Sequence, residues 1–210
     1  MALAWQDSLF GEDPAEGAGA LDLHALQRRP LDERSWLDVA RGWVPDHADL
    51  LDELVRTAPW RQRERRVWDA DVLEPRLVAV WGADELDRLP PILRGARELL
   101  GERYGVEFDS ALANLYRDGR DGVAWHGDTV RKRLPETVVV TIGLGERRRF
   151  LLRPGAAGPP AVRLDSGGGD LVVMGGRCQH EWQHTVPKDA RAGTRLSVTM
   201  RHSRPLPARR

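Results

Sequence analysis

His126 and Asp128 stand two residues apart in "VAWHGDTV", residues 123 to 130. On a β-strand alternate side chains share a face, so these two would project together, with Trp125 and Gly127 on the other side. A neutral imidazole beside a carboxylate can chelate a divalent metal. The pair alone is equally compatible with a half-buried histidine beside a turn aspartate, so a metal site needs a third ligand. His184 in "EWQHTVP" is the candidate, and His180, which would share its strand face, is the rival.

Two histidines and one carboxylate leave coordination positions open, the donor set of non-haem iron(II) oxygenases. The run "TRLSVTMR" alternates, with Arg195, Ser197, Thr199 and Arg201 on one face and Leu196, Val198 and Met200 on the other. At ~3.3 Å per residue its two arginines stand about 20 Å apart along the strand. Guanidinium arms leaning inward from both ends match a small dicarboxylate. Asn114 and Tyr116 share a face upstream and offer an amide and a phenol hydroxyl to a bound acid. Trp81 and Trp125 are candidates for stacking on a flipped base, although each also suits a core. Arg131, Lys132 and Arg133 form a basic triplet suited to phosphate or to a solvated loop. Cys178 reads as packing.

The elements that must position these groups are mostly strands. "RLVAVWG", "SALANLYRDG", "GVAWHGD", "ETVVVTIGLG", "RRFLLRPG", "AVRLDSGG", "GDLVVMGG", "EWQHTVP" and "TRLSVTMRHS" are short runs set apart by Gly, Pro and Asp turns. They follow two helices and predict an α+β, mainly β fold, a sandwich or jelly roll with N-terminal flanking helices. The stretch 35–60 predicts the first helix, with Asp46 as N-cap, Asp49 in the first turn and a stripe of Leu50, Leu51, Leu54 and Val55. "PPILRGARELLGERYG" predicts the second, opened by proline and closed by Gly105. Residues 1–30, rich in Gly, Ala and acids, predict a poorly ordered arm before a single domain over 31–210.

The chain's 32 acidic and 32 basic residues balance, but unevenly: residues 1–60 hold 12 acids and 5 bases, the remainder 20 and 27. The basic C-terminal part suits a polyanion, although almost every base is arginine, which a compositional bias would also give. A single cysteine excludes an internal disulfide. The acidic start is a poor signal peptide, and no run approaches the ~20 apolar residues of a membrane span. A soluble, cytoplasmic monomer is expected.

Taken in order, N-x-Y-x-D-G-x-D with H-x-D (Asn114 to Asp128), W-x-H-x-V-P-K (Trp182 to Lys188) and R-x-S-x-T-x-R (Arg195 to Arg201) are specific. With "EPRLVAVWG" (Glu74 to Gly82) ahead of them, the chain resembles the AlkB family of Fe(II)/2-oxoglutarate-dependent dioxygenases, of the bacterial alkylation-repair type. The resemblance implies a double-stranded β-helix with a catalytic core of about 74–204. It implies iron on His126, Asp128 and His184, and 2-oxoglutarate held by Arg195, Asn114, Tyr116 and Arg201. It further implies oxidative N-dealkylation of bases in DNA or RNA with O2, releasing aldehyde, succinate and CO2. Ser197 stands where the family usually has Asn. Val130 stands where repair members have an acid that contacts the alkylated base, and it offers no counter-charge to a cation such as 1-methyladenine. "WGADELDRLPP" is too short for the aromatic hairpin expected after the Glu74–Gly82 segment. A protein or small-molecule substrate, or a non-catalytic nucleic-acid-binding module on the same fold, is the alternative.

Overall fold

The computed structural model of the chain describes residues 21–67, 70–128 and 134–206, without the side chains of 65, 67, 70 and 71. The element order is β1 (Gln27–Pro30), β2 (Ser35–Ala40), α1 (His47–Thr57), β3 (Arg61–Val67), β4 (Ala70–Trp81), α2 (Pro91–Tyr104), β5 (Ser110–Tyr116), β6 (Val123–His126), β7 (Thr137–Gly145), β8 (Arg148–Pro154), β9 (Val162–Ser166), β10 (Asp170–Gly176), α3 (Cys178–Glu181), β11 (Trp182–Val186) and β12 (Arg195–Arg201). All pairings are antiparallel. The major sheet runs β1-β2-β10-β7-β12-β5-β4-β3, and the minor sheet runs β6-β11-β8-β9.

The central strands of the major sheet are covered on both faces. Leu93, Ala96 and Leu100 of α2 and Leu50 and Leu54 of α1 pack with Ala79, Ala113, Ile142, Val198 and their neighbours. On the opposite face Leu37, Val39, Tyr116, Val139 and Val172 meet Phe150, Leu152, Leu164, Trp182 and Val186 of the minor sheet. This is the expected jelly roll. β7 is buried along almost its whole length, which is why "TVVVTIG" reads as an apolar run without polar alternation.

The helices depart from expectation at the first one. α2 begins with Pro91 and ends at Gly105, whose φ of 66° suits a residue without Cβ. Of the stretch 35–60 only His47–Thr57 is helical. Ser35–Ala40 instead form β2, because Leu37 and Val39 recur at period two and enter the inter-sheet core. Asp46 occupies the N-cap position but in the left-handed region, and its side chain makes no capping hydrogen bond. Leu50 and Leu54 are buried, whereas Val55 is 39% exposed.

Two further strands were not anticipated. β1 lies inside the segment expected to be an arm and pairs with β2 across a tight turn, so residues 27–30 belong to the major sheet. β3, an edge strand paired with β4, is a charged run. Arg61, Gln62, Arg63, Glu64 and Arg66 are all exposed. An edge strand open to water has no apolar face to bury, so it carries no hydrophobic period.

Candidate metal and cosubstrate site

β6 ends at His126, and its partner in register across the minor sheet is His184 of β11. The two imidazoles face each other with ring centroids 4.3 Å apart. Asp128 lies two residues beyond the end of β6, held there by two contacts. Its backbone N–H donates to Gln179 Oε1 at 2.8 Å, and its carboxylate accepts both Nε and Nη2 of Arg201 at 3.0 and 2.9 Å. One donor atom from each of His126, Asp128 and His184 lies within 4.8 Å of the others, and these three form the group that could hold a metal among the described residues.

The electrostatics suit a metal. His126 Nδ1–H donates to the Ala124 carbonyl at 2.8 Å, which leaves Nε2 with its lone pair free. Burial, and then the neighbouring His126, push the pKa of His184 down to about 3, so this imidazole is neutral. For Asp128 burial acts upward, but Arg201 and then His184 outweigh it, and the carboxyl is held below its ordinary range. His180 sits on α3 and donates through Nε2 to the Leu134 carbonyl at 2.8 Å, outside the trio.

A cavity of about 460 Å³ opens over these residues. Part of its lining comes from β12 and β5, where Arg195 lies opposite Tyr116 and Ser197 opposite Asn114. Arg195 is 1% exposed. Its Nε donates to the Ser166 carbonyl at 3.0 Å, and its guanidinium carbon lies 5.2 Å from the centre of the Tyr116 ring. Its Nη1 is buried with no hydrogen-bond partner, and burial lowers its pKa. An orphaned arginine N–H in a closed site is costly unless a ligand accepts it, and a carboxylate accepts it best. Of the two arginines expected to clamp a dicarboxylate, both line the cavity; Arg201 also grips Asp128 through Nε and Nη2, and Arg195 has the unpartnered Nη1. Asn114 Oδ1 accepts Nε of Arg76 at 2.8 Å.

The substrate side differs more from expectation. Trp81 does not reach the cavity. It is 4% exposed in the helix-side core, because Ala79 and Trp81 point toward α2 while Val80, one residue away, lines the cavity. Trp125 is half-buried on β6, away from the cavity lining, with the Arg153 guanidinium 4.3 Å over its ring. Val130, Arg131, Lys132 and Arg133 lie outside the described residues. Sequence reasoning missed Arg63 and Arg76, which line the cavity. Arg76 stood in "EPRL" without a role, and Arg63 carried no signal because β3 was not foreseen.

Comparison with known proteins agrees with this geometry. The model of the 2OG-Fe(II) oxygenase superfamily matches residues 79–204, and the chain belongs to that superfamily. Within it the similarity is to AlkB homologues. Human alpha-ketoglutarate-dependent dioxygenase alkB homolog 3 is 30% identical over 179 residues, covering 75% of this chain and 62% of that protein. DNA oxidative demethylase ALKBH2 of Arabidopsis thaliana is 31% identical over 194 residues, covering 72% and 60%. The chain therefore spans about three fifths of these curated relatives. Among solved structures, that of OsALKBH1 has a TM-score of 0.54 at 16% identity, covering 84% of this chain and 100% of that one. A prolyl hydroxylase from Trichoplax adhaerens has a TM-score of 0.58 at 14% identity, covering 79% and 82%. At such identities these two speak for the fold. The superfamily's Fe(II) and 2-oxoglutarate fit the residues present: two histidines and a carboxylate for the metal, and a buried, unsatisfied Arg195 N–H for the distal carboxylate.

Proposed function

We propose that the chain is an Fe(II)- and 2-oxoglutarate-dependent dioxygenase that removes N-alkyl groups from nucleic-acid bases, DNA in preference to RNA, as a cytoplasmic monomer. The supporting observation is the buried, unpartnered Nη1 of Arg195, a residue that lines the same cavity as His126, Asp128 and His184. A metal site kept only for stability or for binding would not need it. DNA is favoured by the name of the plant relative, a DNA oxidative demethylase. No described helix is long and apolar enough to cross a membrane.

His126, Asp128 and His184 would hold the iron, and Arg195 with Tyr116, Asn114 and Ser197 would hold 2-oxoglutarate. Together with O2 these supply oxidation of a C–H bond. One oxygen atom ends in the substrate as N–CH2OH and the other in succinate, with CO2 released. The N–CH2OH carbon then leaves as formaldehyde, and its hydroxyl proton passes to the ring nitrogen or to water. The protein's own work is orientation. Arg201 fixes the Asp128 carboxylate, Ala124 fixes the tautomer of His126, and the inter-sheet core keeps His184 neutral.

The test is formaldehyde release from methylated single-stranded oligonucleotides with Fe(II) and 2-oxoglutarate. Wild type should release it, His184→Ala should abolish both release and Mn(II) binding, and His180→Ala should retain both. Metal binding and activity surviving in His184→Ala but lost in His180→Ala would overturn the ligand assignment.

A further inference from the structure

Among the described residues, the charged side chains lining the cavity are Arg63, Arg76, Arg195, Arg201 and Asp128. The one carboxylate is already engaged, as a metal-ligand candidate and as the bidentate partner of Arg201. Arg195 is turned to the cosubstrate region. The two remaining cations face whatever else enters. Arg76 Nε donates to Asn114 Oδ1 at 2.8 Å, and its guanidinium pairs with Glu74 at 3.0 Å. Arg63 is exposed on the edge strand and has no ion-pair partner among the described residues. Beside them Val80, 44% exposed, and Leu112 present apolar surface.

We propose that Arg63 and Arg76 set the substrate class: the cavity selects electrically neutral alkylated bases and rejects cationic ones. The proposal rests on the dealkylase function above. A base carrying a fixed positive charge loses its hydration on entering, and among the described lining residues no unengaged carboxylate repays that. It also meets two guanidinium groups in a site where charge is screened less than in water. A neutral base of the same shape meets Val80 and Leu112 without that cost, and its carbonyl oxygens can accept from arginine. Arg63 and Arg76 thus discriminate by repulsion rather than by a new attractive contact.

3-Methylthymine and 3-methylcytosine make a matched pair. Both carry the methyl group on N3 and both release formaldehyde, but only the cytosine is cationic. In otherwise identical single strands at low salt, kcat/KM should favour 3-methylthymine at least tenfold. Fluorescence anisotropy with Mn(II), without O2, should give the same order of binding. Arg63→Glu, at an exposed position that leaves the fold intact, should narrow the ratio at least threefold by improving the cytosine substrate. Arg63→Gln should fall between, and raised salt should shrink the difference. Equal or better use of 3-methylcytosine by wild type, with formaldehyde released, would overturn this proposal and leave the dealkylase intact. Absence of release from every methylated base, with 2-oxoglutarate still consumed, would overturn the nucleic-acid function and this proposal with it.

Discussion

Arg195 has few options. Its guanidinium sits in the core with one nitrogen donating to a backbone carbonyl and another donating to nothing. Burial lowers its pKa, yet arginine stays protonated in proteins, so the charge persists and needs a counter-ion. Arg195→Ala should therefore weaken binding of the 2-oxoglutarate analogue N-oxalylglycine by about 2–5 kcal/mol, the cost of truncating one partner of a buried charged pair. Arg195→Lys should recover only part of this, because an ammonium cannot form the two-pronged contact. Isothermal titration with Mn(II) in place of iron measures it. Unchanged affinity in the alanine variant would assign the distal carboxylate to another residue. Arg201, at the other end of the same strand face, should behave differently. It grips Asp128, so its loss should register first in metal affinity.

At the level of elements, the strands of the major sheet divide labour between their faces. Leu196, Val198 and Met200 of β12 face the helices, while Arg195, Ser197, Thr199 and Arg201 line the cavity. The helix layer therefore supports the site without entering it. Leu100 of α2 is fully buried in that layer. Leu100→Ala should cost about 2–5 kcal/mol in urea unfolding, from lost transfer energy and the cavity left behind. Mn(II) should still bind at one per chain, because the three donors sit on the opposite side of the sheet. A destabilised variant that also loses metal would mean that the two faces are coupled. The β3–β4 hairpin is the contrasting element. It lies at the edge of the sheet, is mostly exposed, and contributes Arg63 and Arg76 to the cavity. Substitution of Arg63 on its exposed edge strand should change substrate choice at little cost in stability.

For the whole molecule, stability at low pH depends on carboxylates that must stay ionised. Asp121 is 3% exposed and accepts Nε and Nη2 of Arg117 at 2.8 and 2.9 Å, as well as the Arg117 backbone N–H. Burial alone would raise its pKa, but the hydrogen bonds from Arg117 outweigh it and hold the carboxyl below its ordinary value. The folded pKa is thus lower than the unfolded value of about 3.9. The associated stability is fully present well above that value and is lost as pH falls through the folded pKa. Asp121→Asn should lower the melting temperature at pH 7 and flatten the decline below about pH 4. Melting curves at several pH values measure both. An acid limb as steep as in wild type would place the acid-sensitive groups elsewhere.

Strand periodicity put forward His126, Asp128, Arg195 and, beside its rival His180, His184, because the chemistry of two histidines, a carboxylate and an arginine on strand faces is written in residue type and spacing. It also marked out β4 to β12, since each of those runs carries apolar residues to bury. Periodicity says which side chains share a face. It does not say what covers that face. Packing of α2 decided that Trp81 belongs to the core and Val80 to the cavity. Contact at the end of β12 brought Arg201 onto the Asp128 carboxylate, a partner that the alternation of the strand does not name. The edge strand β3 brought Arg63 to the site from a stretch with no hydrophobic pattern at all. Pairing of β6 with β11 set His184, and not His180, opposite His126, a choice of register that the residues in "HEWQH" do not contain. Each of these outcomes depends on contacts between segments distant in the chain, and the tertiary structure alone supplies them.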